Sequence, residues 1–316
     1  MSRSTRNLRI VVGGGLGDCL IHTPFIRHFR QSGEYGSITC MVLEEAIGLF
    51  DRNPHLDALL GCDADGLTIW AAPEVDHEVF APYVGSKVVT ALDGSITFKR
   101  SFGWTRARKF PESGIVRQVA LLNGLDLKDE SLEIFTAPED ERWAEEFLRG
   151  APRPIVAINR LTAGRCKEYP VSQWQSVSER LLGFATLFDF APPADVLPGA
   201  RSIWPLPSFR RTAALFRGVN CVVSVDSFPA HLATAARAPA VVLFGPTSPA
   251  VFGHLGNRNL RAGACSPCFT PTEAGCQEAV CMREITPSMV IDATLAVLGV
   301  PHMSKLDESP KFESQL

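Results

Sequence analysis

The stretch VVGGGLGDCLIHTPFIRHFR, residues 11–30, decides how the chain begins to fold. The run LRIVVGG (8–14) is rich in β-branched residues and predicts a first strand that ends in glycines. The next segment, HTPFIRHFRQSG (22–33), has helical spacing and predicts a helix that stops at Gly33. A strand, a glycine loop and a helix in this order indicate the start of a parallel α/β sheet.

The glycine loop does not match the fingerprint of a dinucleotide-binding fold. That fingerprint, G-x-G-x-x-G, places a third glycine where the helix opens. Gly13 and Gly15 supply the first two glycines, but Asp18 occupies the third position, where a carboxylate would oppose a pyrophosphate. An oxidoreductase of the Rossmann type is therefore disfavoured. Two interpretations of Asp18 stay open: it caps the helix, or it is a general base at the carboxyl edge of the sheet, where such folds bind ligands.

Strand and helix patterns alternate along the rest of the chain. The 316 residues suit two domains of ordinary size. The linker is predicted at GAPRP (150–154), where glycine and proline cluster. We therefore predict two domains, residues 1–150 and 151–316, the second ending in the polar tail KLDESPKFESQL. The predicted elements are helices at 114–125, 139–150, 172–182 and 230–237 and strands at 37–45, 154–160, 221–226 and 240–245.

Composition excludes several classes of protein. Apolar residues make up 46% of the chain, charged residues 21%, and the formal net charge is −3. This is the balance of an ordinary globular protein, with no basic block that would indicate a nucleic-acid partner. No apolar run approaches the roughly 18 residues of a membrane span. The N-terminal arginines resemble the start of a signal peptide, but the apolar part is short and Asp18 interrupts it, so we expect a cytoplasmic protein. The oligomeric state is left open.

The second half contributes two loops with phosphate-binding chemistry. INRLTAGRCKEYPVSQW (158–174) places Thr162 and Lys167 between a strand and a helix. VSVDSFPAHLATAAR (223–237) places Asp226, Ser227 and His231 at another strand-to-helix turn. The N–H groups and dipole of a helix start suit a diphosphate, and a lysine adds a positive charge. The alternative is that Asp226 and Ser227 only cap the helix and His231 is a core residue.

Four of the nine cysteines form a cluster. Cys265, Cys268, Cys276 and Cys281 have the spacing C-x2-C-x7-C-x4-C. Four thiolates this close suit a tetrahedral zinc or iron ion. The alternative is a set of reduced thiols or a local disulfide, and in either case the role is structural, since no histidine or carboxylate with an open coordination position accompanies them. The odd total, without a signal peptide, argues against a secreted disulfide framework.

Four segments follow one another along the chain: GLGDCLIHTPFIRHFR, KEYPVSQW, VDSFPAHLATAARAPAVVLFGPTSP and CSPCFTPTEAGCQEAVCMREI. In this order they resemble glycosyltransferase family 9, the group that includes the lipopolysaccharide heptosyltransferases. The departures from the family pattern are Phe228 in place of a glycine, Tyr169 in place of a tryptophan, NRL (159–161) in place of a His-Pro-Gly type of loop, and the segment 183–202, which lacks the usual strand ending in glycines.

The resemblance implies a GT-B fold, in which two Rossmann-like α/β domains face each other across a cleft. It implies an inverting glycosyltransferase that needs no metal for catalysis and moves a sugar, with ADP-heptose as the implied donor, to a hydroxyl of a bacterial glycan, a lipopolysaccharide core or a protein. A lipid acceptor would bring the enzyme to the inner membrane as a peripheral protein. Some protein-modifying heptosyltransferases that resemble the family bind iron through a cysteine finger.

The resemblance also implies roles for individual residues. Asp18 matches the catalytic base, and the other matched positions belong to the loops that bind the nucleotide sugar. Two alternatives stay open: a GT-B protein that binds or epimerises a nucleotide sugar without transferring it, and a binding or regulatory protein that has lost activity. The positions matched to binding are Gly15, Gly17, Thr162, Lys167, Asp226, Ser227 and His231.

Overall fold

The protein contains two parallel β-sheets with helices on their faces. The computed structural model describes residues 6–71, 77–83, 87–90, 97–100, 113–268, 276 and 278–300. Within this part of the chain, the first sheet has four strands in the order β3-β2-β1-β4 and the second has six in the order β12-β11-β10-β7-β8-β9. A separate antiparallel pair joins β5 to β6.

The first sheet is built from strands that alternate with short helices. Its central strand, β1, pairs in parallel with both β2 and β4. The elements of this half are β1 (Asn7–Val12), α1 (Leu16–Ile21), α2 (Thr23–Ser32), β2 (Ser37–Leu43), α3 (Ile47–Phe50), β3 (Ala58–Cys62), α4 (Ala64–Trp70), β4 (Glu78–Tyr83), β5 (Lys87–Thr90), β6 (Thr97–Arg100), α5 (Ile115–Leu122) and α6 (Pro138–Leu148).

The second sheet has three strands whose residues are all buried, β7, β10 and β11. Continuous apolar strands of this kind are typical of a parallel sheet covered on both faces. The elements are β7 (Ile155–Asn159), α7 (Val171–Leu181), β8 (Thr186–Asp189), β9 (Arg201–Ser202), α8 (Phe209–Gly218), β10 (Cys221–Val225), α9 (Phe228–Ala235), β11 (Ala240–Phe244), α10 (Pro249–Phe252), β12 (Arg258–Arg261), α11 (Val280–Glu284) and α12 (Pro287–Val297).

Most predicted elements are confirmed within a few residues, and two differ. The helix predicted at 22–33 follows a separate short helix, α1, and starts anew at Thr23, because Pro24 lies in its first turn and cannot continue the preceding helix. It ends at Gly33, which has φ +71° and so favours glycine. The second difference is that the segment 183–202, which contributed no strand to the predicted elements, contains β8 and β9; neither strand ends in glycines, as expected.

The two sheets share one apolar core. A cluster of buried side chains runs from β1 and α2 through α5 and α6 to α8, β10 and α9. Helix α6, although it precedes the predicted linker, packs on α8. Its Phe147 stacks on Trp143 and contacts Phe188 of the second sheet. Because the seam between the two halves is apolar, their loops are held at fixed positions relative to each other. No helix in the described ranges is long and apolar enough to cross a membrane.

Candidate active site

The candidate site lies where loops leave the carboxyl ends of parallel strands. Such edges bind ligands in open α/β sheets, because the loops and helix N-termini there converge. The glycine loop and α1 follow β1, and the turn Arg165–Lys167 follows β7. Helix α9 follows β10, and the loop 245–248 follows β11. The residues predicted from the first and second halves therefore come from separate loops of two sheets.

Asp18 lies in the first turn of α1 and is half-buried. Its Oδ2 accepts a hydrogen bond of 2.9 Å from the backbone N–H of Gly15. Gly14 has φ +94°, a backbone conformation that favours glycine and turns the chain tightly before the helix. Both interpretations of Asp18 fit this position. Its carboxylate accepts from the N–H at the start of α1, as in a helix cap, and it lies after the carboxyl end of β1, where a general base would be needed.

Gly17 brings the first half into contact with His231 of α9. A Cβ added at Gly17 would lie 2.8 Å from Cδ2 of His231, closer than carbon atoms approach without displacement. The absence of a side chain at Gly17 therefore allows α1 and α9 to pack together. Asp18, the next residue along α1, is therefore on a helix that packs against α9, and α9 begins directly after Asp226 and Ser227.

Lys167, in the turn after β7, and Asp226, directly after β10, form an ion pair in the second half of the protein. Nζ of Lys167 lies 2.8 Å from Oδ2 of Asp226, whose side chain is 4% exposed. Thr247, from the loop after β11, donates its hydroxyl to the same carboxylate oxygen. Burial alone would raise the pKa of Asp226, but the positive charge of Lys167 and the two hydrogen bonds outweigh burial and lower that pKa below its usual value. The carboxylate is therefore ionised at neutral pH.

Ser227 is the N-cap residue of α9, but its side chain makes no capping hydrogen bond. Its hydroxyl donates to the carbonyl of Val225 at 3.3 Å and accepts from Nδ2 of Asn159 at 3.2 Å. Asn159, at the end of β7, also donates to Ser224. Capping alone therefore does not explain Ser227.

Thr162 lies in the loop between β7 and the turn that carries Lys167. Its hydroxyl accepts from the N–H of Gly164 at 3.4 Å. Thr162 and Lys167 lie five residues apart in one loop of the chain. No described contact joins the two side chains directly, so the role of Thr162 stays a prediction.

Sequence reasoning missed three residues that complete the site. Thr247 and Asn159 hold Asp226 and Ser227, as described above. His254, to which the sequence assigned no chemistry, lies 2.9 Å from His231 between ring nitrogens. Thr247 belongs to the family-like segment VDSFPAHLATAARAPAVVLFGPTSP, so its hydroxyl was a signal already present in the sequence. Nothing in the spacing of His254 pointed to His231, because the pair forms only through the fold.

The four clustered cysteines lie around α11, and two of them, Cys268 and Cys276, are close enough to interact electrostatically with Cys166, the residue before Lys167. Cys281 is fully buried and Cys265 is exposed, and their side chains share a hydrogen bond. Burial first, and then the sulfur atoms of Cys265, Cys276 and Cys268, raise the pKa of the Cys281 thiol. In the described part of the chain, no three histidine, cysteine or acidic side chains converge as metal ligands would. The described side chains thus form no ligand set for the predicted tetrahedral ion, although Cys281 and Cys265 are in contact.

The cysteine segment packs against the candidate site through Met282 and Ser266. A Cβ added at Gly245 would lie 2.6 Å from Sδ of the buried Met282 and 3.3 Å from the carbonyl oxygen of Cys166. The carbonyl of Gly245 also accepts from the hydroxyl of Ser266. The loops that carry Lys167 and Thr247 therefore rest on the segment that contains the cysteines.

Two sheets of parallel strands, with candidate residues on the loops between them, define a GT-B architecture, as the resemblance implied. The sequence profile of glycosyltransferase family 9 (heptosyltransferase) matches residues 106–279. The match covers more than half of the chain, and the chain belongs to this family.

Known proteins agree with this assignment. Lipopolysaccharide heptosyltransferase 1 of Pseudomonas aeruginosa is 26% identical over 174 residues, which are 47% of this chain and 49% of that protein. The chain thus spans about half the length of this curated relative. The solved structure of E. coli ADP-heptose lps heptosyltransferase II superposes with a TM-score of 0.65 at 15% identity, covering 93% of this chain and 98% of that one. The iron-containing dodecameric glycosyltransferase TibC from enterotoxigenic E. coli gives 0.64 at 15% identity, covering 94% and 77%. At these identities the two structures show a shared fold.

Proposed function

We propose that the protein is an inverting glycosyltransferase that moves a sugar from a nucleoside diphosphate to an acceptor hydroxyl in bacterial glycan or lipopolysaccharide core synthesis. The observation that carries the proposal is the contact between Gly17 and His231. This contact supports the proposal because it packs the helix that carries Asp18 against α9, the helix that begins directly after Asp226 and Ser227. Family membership and the name of the E. coli relative support a heptose donor, ADP-heptose.

In the proposed reaction, Asp18 accepts the proton of the acceptor hydroxyl while that oxygen attacks the anomeric carbon. The N–H of Gly15 fixes the orientation of the carboxylate. The bond from the anomeric carbon to the diphosphate breaks, and the transition state resembles an oxocarbenium ion. Attack from the face opposite the leaving group inverts the anomeric centre. This step requires one carboxylate and no metal ion.

Charge on the departing diphosphate is stabilised by the second half of the protein in this proposal. An ammonium group has three N–H donors, so Lys167 can hold Asp226 and contact phosphate oxygens at once. Thr162 and the N–H groups at the start of α9 supply further donors. Asp226 holds the lysine in place and neutralises its charge before the donor binds. In this proposal the buried carboxylate of Asp226 orients Lys167, and Lys167 binds the phosphates.

The test is release of nucleoside diphosphate that depends on both a nucleotide sugar and an acceptor. A thermal-shift screen of nucleotide sugars first identifies the donor, because a ligand that binds only the folded state raises the melting temperature. We expect Asp18→Asn to reduce turnover at least ~100-fold while the donor still raises the melting temperature. Near-normal turnover by Asp18→Asn would remove the base assignment. Binding of a nucleotide sugar with no acceptor-dependent release of diphosphate would favour a protein that binds or epimerises the nucleotide sugar without transfer.

Partners and location follow from the same proposal. The acceptor is a glycan, a glycolipid or a protein side chain, and the enzyme works in the cytoplasm, at the inner membrane when its acceptor is a lipid.

A structural zinc or iron ion at Cys265, Cys268, Cys276 and Cys281 is supported by the spacing and by the iron content of TibC, and opposed by the described geometry. Metal analysis of reduced, purified protein decides: less than about 0.2 equivalents excludes it, since a structural tetrathiolate site fills.

A further inference from the structure

The candidate site contains a pair of histidines, His231 and His254, whose mutual contact has no role in the reaction proposed above. Nδ1 of His231 lies 2.9 Å from Nε2 of His254, and the two ring planes are 86° apart. His231 is in the first half of α9, and His254 is in the loop after α10, 23 residues further along the chain. A hydrogen bond of this length between rings from separate elements requires that both backbones are held.

The loop that carries His254 is anchored on both sides. The carbonyl of His254 accepts from the N–H of Asn257 at 3.0 Å and from Nδ2 of Asn259 at 3.1 Å. Nδ2 of Asn257 donates to the hydroxyl of Thr234, which lies on α9. The loop is thus tied to the same helix that carries His231. The position of the His254 ring is therefore set by the fold, independently of any bound ligand.

Both rings are neutral at neutral pH. Burial, followed by the proximity of His231, lowers the pKa of His254 to about 3. Burial also lowers the pKa of His231, where the carboxylate of Asp226 acts in the opposite direction and the charge of Lys167 adds to burial. Between two neutral imidazoles, one nitrogen must donate and the other accept. The tautomers of His231 and His254 are consequently coupled, because one hydrogen bond allows only one of the two facing nitrogens to carry a hydrogen.

The second ring nitrogen of His231 faces the first half of the protein. Its Nε2 lies 3.4 Å from the position that a Cβ on Gly17 would occupy, at the helix that carries Asp18. If His254 donates the hydrogen bond to Nδ1 of His231, Nε2 of His231 carries the hydrogen and presents an N–H beside α1. If His254 accepts that hydrogen bond, Nε2 of His231 presents a lone pair there. An N–H stabilises an anionic ligand, whereas a lone pair repels it.

We propose that His254 is a positioning residue that donates its Nε2–H to Nδ1 of His231 and so keeps a hydrogen on Nε2 of His231. That N–H then donates to an oxygen of the bound nucleotide sugar, which rests on the function proposed above. The opposite tautomer would turn a lone pair toward the negative charge of a diphosphate. His254 itself touches neither substrate nor the reacting atoms, and acts through His231 alone.

The direct test is the ¹⁵N spectrum of histidine-labelled, ligand-free protein, because the two nitrogens of a neutral imidazole differ widely in shift. His231→Gln identifies the signals of His231. We expect the wild-type ring to carry its hydrogen on Nε2, and His254→Leu to abolish that preference. Two results would overturn the proposal. One is that His231 of the wild type carries its hydrogen on Nδ1, and the other is that His254→Leu leaves the His231 signals unchanged. This measurement needs neither donor nor acceptor, so its outcome is independent of the proposed activity.

Turnover provides the second readout. His254→Gln keeps a donor at the position of Nε2 and is expected to stay within about threefold of the wild type, while His254→Leu loses about 3- to 10-fold in kcat, the effect of one neutral hydrogen bond. Leu255→Ala is the matched control, since Leu255 is fully exposed beside His254 and should change neither spectrum nor turnover. Equal kcat for the Gln and Leu variants would overturn the positioning role even if the tautomer is as expected. Absence of transfer in the wild type would instead refute the proposed function.

Discussion

Lys167 and Asp226 are 59 residues apart in the chain and form an ion pair whose two members are unequally exposed. The lysine reaches the surface, with 22% of its side chain exposed, while the carboxylate is buried under it. Thr247 supplies the second hydrogen bond to the carboxylate. Without the carboxylate of Asp226, Lys167 and the hydroxyl of Thr247 lose the group that orients them.

We expect Asp226→Asn to lower the free energy of unfolding by roughly 1.5–3 kcal/mol at pH 7, the value of a hydrogen bond to a charged group. The pH dependence follows from the pKa of Asp226, which folding lowers from 3.8. A carboxyl group with a lowered pKa in the folded state stabilises fully above its unfolded pKa, and this stabilisation is lost as the pH falls through its folded pKa. The difference between wild type and variant should thus be constant above about pH 5 and shrink below about pH 4. Urea denaturation from pH 3 to pH 7 measures it, and a difference that grows toward low pH would contradict the assignment.

At the scale of elements, the packing of α1 on α9 decides where the carboxylate of Asp18 stands. The sequence predicted the glycine loop and the helices, because β-branched runs, glycines and caps act locally. It could not predict that Gly17 is the contact point, since a glycine inside a helix has several local explanations. The His231 ring that lies against it comes from more than 200 residues later in the chain.

The substitution Gly17→Ala separates local helix propensity from this contact. In an isolated helix, alanine is about 1 kcal/mol better than glycine. The added Cβ would meet His231 at 2.8 Å, and crowding of this kind costs about 1–3 kcal/mol. We therefore expect a net loss of stability, together with reduced turnover.

The matched control for Gly17→Ala is Gly256→Ala. No atom lies within 4 Å of a Cβ built on Gly256, so this variant should stay within about 0.5 kcal/mol of the wild type. Thermal and urea denaturation compare the two. A Gly17→Ala protein that is more stable than the wild type would show that α1 and α9 are not in contact in solution.

At the scale of the whole molecule, charged side chains cross the seam between the two halves. Arg210 of α8 pairs with Asp51, which follows α3, and its Nε lies 3.1 Å from Oδ2 of Asp140 on α6. Asp140 is buried, with 3% of its side chain exposed. A nearby pair, Arg52 with Glu139 at 3.1 Å, is half-exposed at both ends. The Arg210 contacts cross the boundary between the halves, the Arg52–Glu139 pair lies beside it within the first half, and the two differ in their burial.

This difference predicts unequal effects on stability. Arg210→Ala leaves the buried carboxylate of Asp140 without its arginine, and we expect a loss of about 2–4 kcal/mol. Glu139→Gln removes the exposed pair and should cost at most about 1 kcal/mol. Urea denaturation at two salt concentrations distinguishes them, because added salt screens an exposed pair and scarcely affects a buried one. Equal losses would mean that the seam is open to water around Arg210.

Sequence alone determined the alternation of strands and helices, the glycine turn before Asp18 and the family. These features depend on residues close together in the chain, where periodicity, φ preferences and helix starts act. Only the tertiary structure decided that Gly17 receives the His231 ring, that Asp226 holds Lys167 and that His254 is paired with His231. Contacts of this kind depend on how two sheets dock, and docking is governed by the shape of the whole apolar seam rather than by any short segment.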